Sequence, residues 1–200
     1  MRGLMWGWLM GGLVLGAGCM TSRGAGVENR VTFDAVPQTI GEFVSIRDAM
    51  AVHPEGGAAC LVLAGLLYAQ DEALGLQAIT AMLDPSAAKG PAVWEGLGPV
   101  EVDVARFHDQ WSKAASHDHV PRSYVQGTSP DQGYALGQPP YVVRLKARDE
   151  EKGTAQVLVY STGADHARAV TLKRNDKGIW QATEWNALLA DVKPAKAAAK

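Results

Sequence analysis

The stretch YVVRLKAR at residues 141–148, followed by TAQVLVYS at residues 154–161, decides the fold class of this chain. The first segment alternates apolar with basic residues, which is the pattern of a strand with one face on a core and the other toward water. The second segment is apolar on both sides, as expected of a central strand. We therefore predict two neighbouring strands of an antiparallel sheet.

Two more strand patterns follow toward the C-terminus. Residues 168–174 read RAVTLKR and residues 178–185 read GIWQATEW. The residues from Asn175 to Gly178 between them form a hairpin-turn sequence, in which glycine is available for positive φ. The C-terminal part is thus predicted to be an antiparallel β-meander of about four strands.

The sequence before residue 141 has helical patterns instead. Residues 39–50 form a candidate helix with Thr39 as N-cap and Glu42 three positions later, the arrangement of a capping box. Residues 53–69 place Pro54 in a first helical turn and are apolar on every side after it. This pattern predicts a helix that is buried all round yet too short to span a membrane.

Two further helices complete the predicted N-terminal half. One opens at Asp71, is stopped by Asp84 and Pro85, and forms an antiparallel hairpin with the helix before it. The other lies within residues 102–114 and carries its apolar residues on one face. Helices first and strands afterwards predict the α+β class, with N-terminal helices packed on a C-terminal antiparallel β-meander.

The N-terminal stretch ends in LVLGAGCM, residues 13–20. Met1 and Arg2 supply a positive start, the run up to Gly18 has no charged residue, and small residues precede Cys19. This is the pattern of a signal peptide with a cleavage site, and the apolar run is short for a bilayer span of roughly 20 residues.

A cysteine directly after such a site resembles the lipobox of bacterial lipoproteins, in which the thiol is alkylated with diacylglycerol, the signal is removed and the new N-terminus is acylated. That family prefers leucine three residues before the cysteine, where this chain has Gly16, with Leu15 one place earlier. The resemblance implies lipidation of Cys19 and anchoring to a membrane of the cell envelope. Met20, which is not aspartate, resembles the pattern for outer-membrane sorting, so we expect the anchor to face the periplasm from the outer membrane. The alternatives are an ordinary secretory signal and an uncleaved anchor.

These patterns divide the chain into four predicted segments. They are a lipoprotein signal peptide at 1–18, a flexible tether at 19–30, a single α+β domain at 31–192 and a disordered Lys/Ala tail at 193–200.

Charge, cysteine content and missing motifs narrow the function classes. The formal net charge is −2, so no basic footprint for nucleic acid is present. If Cys19 is lipidated, Cys60 has no intramolecular partner and is expected to be buried as a small hydrophobic residue. The chain carries no phosphate loop, dinucleotide fingerprint, HExxH or CxxC motif, so no cofactor is expected.

A second resemblance rests on HVPRSYVQGTSPDQGY, residues 119–134, and STGADHARAVTLKRNDKGIW, residues 161–180. Together they resemble an uncharacterised family of bacterial domains that pair a helical N-terminal half with a Pro-Arg-Ser-Tyr segment and a terminal β-meander, over about residues 36–185. The matching positions are Pro121, Arg122, Ser123, Tyr124, Gly127, Pro130, Gly163, Ala164, Asp165 and Arg168. The resemblance implies a shape and no activity, and members differ in whether they carry lipoprotein signals.

Four of these residues are candidates for ligand binding: Arg122, Tyr124, Asp165 and Arg168. The fork of arginine donors suits a carboxylate or phosphate, and a tyrosine offers an aromatic face with a polar tip. The structural alternative is that Arg122 pairs with a carboxylate such as Asp165 and pins the 119–134 segment to the sheet. Ser123 lacks a glycine-flanked elbow and a base that can be assigned, so no catalytic residue is assigned.

The histidines His108, His117 and His119 have metal-ligand character, and Asp118 or Asp109 could add oxygen ligands. The alternative is a polar cap that lies near a helix end and meets solvent. We predict no metal site. If the chain did bind a metal ion, these three histidines would be the candidate ligands.

Two function classes remain. The first is a lipid-anchored binding or assembly module that contacts an envelope protein, a glycan or a small ligand. The second is an envelope hydrolase or metal-dependent enzyme that uses dispersed residues such as Glu95, Asp103 or Asp118. A deep pocket with converging ionisable groups would favour the enzyme, and a shallow or edge-strand surface would favour the binding module. We expect the binding module.

Overall fold

The structure, a computed structural model, describes residues 28–190 and 192–196. Signal-peptide cleavage, lipidation of Cys19 and the last four residues of the predicted tail lie outside the described residues. The strands are β1 (Asn29–Phe33), β2 (Tyr141–Glu151), β3 (Thr154–Val159), β4 (Arg168–Arg174) and β5 (Trp180–Glu184). The helices are α1 (Ile40–Met50), α2 (Pro54–Gln70), α3 (Glu72–Met82), α4 (Glu101–Trp111) and α5 (His119–Arg122), with 3-10 helices at Pro130–Gln132 and Asn186–Leu189.

The strands form one antiparallel sheet in the order β1-β2-β3-β4-β5. The predicted α+β class and C-terminal meander are confirmed. The fifth strand is β1, which comes from the start of the domain and pairs along β2, from Asn29 opposite Leu145 to Phe33 opposite Tyr141. At the other edge of the sheet, Leu83 forms a bridge with Ala182 on β5.

Two of the helices, α1 and α3, begin at short polar side chains that cap them. The Thr39 hydroxyl accepts a hydrogen bond from the backbone N–H of Glu42 at 3.2 Å, as the capping-box pattern predicted. Asp71 ends α2 and also caps α3, since its carboxylate accepts from the backbone N–H of Leu74 at 3.0 Å. One residue therefore joins the two helices of the hairpin.

Helix α2 is the centre of the core. Its residues from Gly56 to Tyr68 are all buried, which confirms the prediction of a helix without a polar face. It packs against every strand of the sheet and against the other four helices. None of the described helices is long and apolar enough to cross a membrane.

The sheet has two different faces because side chains alternate along each strand. The inner face packs on α2 and is buried. Its residues are Val31, Phe33, Val143, Leu145, Ala155, Val157, Val159, Val170 and Leu172. The outer face is only partly buried, and no described helix lies on it.

Candidate functional site

The 119–134 segment is attached to the body of the protein through Tyr124. This side chain is only 1% exposed, and its hydroxyl donates a hydrogen bond to the backbone carbonyl of Leu188 at 3.0 Å. Burial raises the pKa of Tyr124, and the nearby Arg168 guanidinium partly opposes that rise. Two of the four predicted ligand-binding residues, Tyr124 and Arg168, are therefore brought together around a buried hydroxyl.

A second attachment runs through Ser123, which is fully buried. Its hydroxyl donates to the carbonyl of Val120 at 2.7 Å and accepts from the Ser161 hydroxyl at 2.8 Å. Its own carbonyl accepts from the Thr162 hydroxyl at 2.9 Å, and that hydroxyl also lies 2.9 Å from the hydroxyl of Thr128. These bonds join the segment to the β3–β4 connection, and they leave Ser123 without the exposure that a nucleophile needs.

A third attachment joins the segment to the C-terminus. The Tyr134 hydroxyl donates to the carbonyl of Lys193 at 2.6 Å, and the backbone N–H of Lys196 donates to the carbonyl of Pro130 at 2.9 Å. The backbone N–H of Lys193 also donates to the carbonyl of Gly163 at 2.8 Å. Residues 193–196, which the sequence placed in a solvated tail, make these bonds in the structure.

The hypothetical pair between Arg122 and Asp165 was wrong. Arg122 pairs with Asp118 one helical turn earlier, at 3.1 Å between Nη2 and Oδ2. Asp165 pairs with Lys193 at 2.7 Å, and this hydrogen bond is the main reason that the pKa of Asp165 is lowered. Arg122 forms its ion pair with Asp118, which is nearer in the sequence than Asp165, so this pair does not attach the segment to the sheet.

The structure brings two of the three candidate histidines together, since the ring centroids of His117 and His119 lie 5.9 Å apart, and it leaves His108 apart from them. His108 contacts Glu72 at 3.1 Å, whereas Nδ1 of His117 contacts the carbonyl oxygen of Asp109. His119 is buried and stacks on Tyr134 with ring centroids 5.5 Å apart. Burial lowers its pKa, which a hydrogen bond with the Ser116 backbone partly opposes.

Within residues 28–190 and 192–196, no three His, Cys, Asp or Glu side chains are grouped so that they could hold a metal ion. The dispersed acids weighed from the sequence are engaged in local structure. Asp103 pairs with Arg106 at 3.4 Å, Asp118 pairs with Arg122, and Glu95 occupies a left-handed turn position at φ 46°. These arrangements do not assemble an acid–base pair.

The outer face of the sheet carries an uneven distribution of charge. We call it the open face and define it by the outward side chains of Arg30, Val142, Arg144, Lys146, Arg148, Gln156, Leu158, Tyr160, Ala169, Thr171, Lys173 and Glu184. Five of the twelve are basic and one is acidic. The strand register places Arg30 opposite Arg144, Lys146 opposite Leu158 and Arg148 opposite Gln156. Basic side chains therefore cluster on β1 and β2, beside apolar ones on β3.

Arg144 organises the part of the open face near the start of β1. Its guanidinium bonds both carboxylate oxygens of Glu28, at 2.6 and 2.9 Å, and lies over the ring of Tyr160, 5.2 Å from the ring centre. The hydrogen bond from Arg144 lowers the pKa of Glu28. Glu28 is the first described residue, so the N-terminal part of the chain enters the domain beside this face.

Acidic residues lie at two margins of the open face. Glu184 on β5 accepts a hydrogen bond from Thr171 at 3.0 Å. Glu150 and Glu151 lie at the end of β2, where Glu151 pairs with Lys152 at 3.3 Å. A shallow concavity at this hairpin is lined by Glu151, Lys152, Thr154, Ala155, Gln156 and Thr171. The positive part of the open face is thus its β1–β2 half.

The sequence had indicated these basic residues without assigning them to a site. In YVVRLKAR, the residues Arg144, Lys146 and Arg148 were predicted to lie away from the core. What it lacked was the position of Arg30, because β1 was not predicted as a strand of the sheet. The signal that could have found it is the short alternation in NRVTF at residues 29–33.

Comparison with known proteins gives a family and no activity. Residues 35–196 match a family described as a domain of unknown function, DUF6935. The chain belongs to this family. No curated protein and no solved structure matches the chain. The edge strand β1 precedes the matched range.

Proposed function

We propose that this protein is a lipid-anchored module of the cell envelope that binds through the open face of its sheet. The observation that carries this proposal is a sheet face that no described helix covers and that has four basic side chains on its β1–β2 half, beside the point where the N-terminal part enters, with Lys173 on β4 as the fifth. Other charged side chains that were candidates for a site are paired within the protein. Arg122 pairs with Asp118, Asp165 with Lys193 and Asp103 with Arg106. A binding or assembly role fits an exposed face better than it fits the buried 119–134 segment.

The N-terminal sequence supports the anchor. A positive start, an uncharged apolar run and small residues directly before Cys19 favour lipidation of that cysteine. Acyl chains contribute on the order of 0.8 kcal/mol for each buried CH₂ group, so several chains on one cysteine hold a protein stably on a membrane. We propose the outer membrane, with the domain on the periplasmic side, as its location.

The Tyr124 and Arg168 pair serves the attachment of the 119–134 segment in this proposal. The Tyr124 hydroxyl is buried and already donates to Leu188, so a ligand would have to displace a bond within the protein.

The test of anchoring is a comparison of two cysteine variants in the native host. In Cys19→Ser we expect loss of labelled fatty acid from the protein, whereas Cys60→Ala should keep the label because its thiol is buried inside the domain. Membrane fractionation is the second measurement. Label incorporation decides, since a chain with an uncleaved signal can stay with membranes. Undiminished label in Cys19→Ser would overturn the proposal.

A further inference from the structure

We propose that the open face lies against an anionic membrane surface and that its ligand is the headgroup layer of anionic phospholipids. The inference rests on the proposed anchor and names the partner of the same face. It follows from three features: the length of chain between Cys19 and the domain, the sign of the charge on the face, and the aromatic and apolar side chains among these charges.

The chain length limits how far the face can move from the membrane. Eight residues lie between Cys19 and Glu28, so nine residue-to-residue steps join them. A residue spans at most about 3.6 Å, so this connection reaches no more than roughly 30 Å, whatever its conformation. Confinement by a short connection corresponds to an effective concentration of about millimolar, so a weak attraction is enough to dock the face.

The charges select which surface of the domain turns toward the membrane. The chain as a whole has a formal net charge of −2, while the open face has five basic side chains and one acidic one. When Glu28 and Glu151 at its margins are counted in, the face has five basic and three acidic side chains, a formal charge of +2, so the remainder of the chain carries −4 of the total of −2. An anionic surface therefore attracts the open face more than the remainder of the chain taken together.

The basic side chains differ in their availability for headgroups. Arg144 is held by Glu28, whereas Arg30, Lys146, Arg148 and Lys173 make no ion pair with any residue that the structure describes. Long side chains of this kind lay their apolar stems on the sheet and extend their charged ends outward. They can reach phosphate oxygens without breaking a contact inside the protein.

Apolar and aromatic side chains lie between these charges. Leu158 is directly opposite Lys146, and Tyr160 lies under the Arg144 guanidinium. Both are partly exposed on a face that no described helix covers. A tyrosine with an apolar ring and a polar tip is suited to the headgroup level of a membrane. The face thus combines attraction by charge with a small apolar contact.

The test measures the exposure of the face on anchored protein. The full chain is reconstituted through its own N-terminus into vesicles of phosphatidylcholine, with and without phosphatidylglycerol. A cysteine is placed on the open face by Gln156→Cys, and in the control on the exposed side of α1 by Ala49→Cys. Each is labelled with an uncharged maleimide. Cys60 remains unlabelled because it is fully buried and its pKa is raised to about 12.

We expect Gln156→Cys to react more slowly on vesicles that contain phosphatidylglycerol, and Ala49→Cys to react equally on both. Added salt should restore the reactivity of Gln156→Cys, since it screens exposed charges. A Lys or Arg near an anionic surface changes the docking equilibrium by about fivefold, so Lys146→Gln with Arg148→Gln should weaken docking by roughly 30-fold. The matched control, Lys89→Gln with Lys113→Gln on the helical side, should retain the protection.

The possible failures are distinguishable. A chain that does not float with vesicles overturns the anchor and the docking together. A floating chain in which Gln156→Cys reacts equally on both vesicles overturns the docking alone. Protection that appears on pure phosphatidylcholine and grows with protein density also overturns it, because the face would then be covered by a second copy.

Discussion

The hydroxyl of Tyr124 and the backbone carbonyl of Leu188 are joined by a buried hydrogen bond of 3.0 Å. This bond links the residue two positions after α5 to the 3-10 helix that follows β5. A side-chain hydrogen bond, and not strand pairing, thus holds the helical half to the segment that follows the meander.

Removal of this hydroxyl should destabilise the domain. Tyr124→Phe leaves the Leu188 carbonyl buried without its partner, so we expect the free energy of unfolding to fall by about 1–3 kcal/mol. The matched comparison is Arg122→Ala, whose pair with Asp118 is partly exposed and should contribute less than about 1 kcal/mol. Urea unfolding of both variants measures the difference. A larger loss in Arg122→Ala than in Tyr124→Phe would contradict this assignment.

Three helical glycines should respond differently to a methyl group. A Cβ at Gly75 would overlap the backbone of Tyr68 where α3 crosses α2, whereas one at Gly65 would lie 3.1 Å from the Trp111 ring. The nearest atom to a Cβ at Gly41, on the exposed side of α1, is 4.0 Å away. We expect Gly75→Ala to cost at least about 1–3 kcal/mol, Gly65→Ala less, and Gly41→Ala to stabilise the domain by up to about 1 kcal/mol.

Thermal or urea unfolding of the three variants should give this order. An equal gain in stability at Gly75 and Gly41 would show that backbone entropy, and not the close crossing of α2 and α3, determines the effect.

Stability should fall at alkaline pH because of Cys60. Burial raises the pKa of its thiol from 9.0 to about 12, so the folded state keeps a proton that the unfolded chain releases. The stabilisation is fully present below about pH 9 and is lost as the pH rises toward 12, with a slope of about 1.4 kcal/mol per pH unit. Tyr68, whose pKa is raised from 10.0 to about 12 mainly by burial, adds to the loss at the upper end.

The measurement is urea unfolding at several pH values between about 8 and 10.5. Cys60→Ala should be less stable near neutral pH, since it leaves a small cavity, but its stability should decline less steeply with pH. A slope that is the same in both proteins would show that folding does not raise the pKa of the thiol. Because Cys60 has no partner, the reductant dithiothreitol should leave the unfolding midpoint unchanged.

The parts of the fold that depend on local chemistry could be predicted from the sequence. The Thr39 cap, the Asp71 cap and the apolar run of α2 each act within one or two helical turns, and the structure has all three. The turn at Asn175–Gly178 was equally local, and Gly178 has the expected positive φ of 81°. Capping and turn chemistry are specified by residues a few positions apart, so one sequence is enough to reveal them.

The parts that depend on distant pairing could not be predicted. The strand β1 is five residues long and obtains its partners from β2, so its own pattern carried too little signal. The partner of Arg122 was placed on Asp165 because both residues belong to the family resemblance, although Asp118 is one turn away in the helix. Prediction of the open face required the existence of β1 and its pairing with β2, because only this register places Arg30 opposite Arg144.

The pairing of Phe33 with Tyr141 joins the first strand of the sheet to a strand that is synthesised after all five helices. The ribosome delivers the N-terminal end first, so β1 and the wholly apolar α2 emerge long before the strands that cover them. Until the C-terminal strands are synthesised, the apolar surface of α2 is exposed to water, and β1 has no strand to pair with. We therefore expect a partly synthesised chain of this protein to aggregate unless a chaperone holds it or its final third follows quickly.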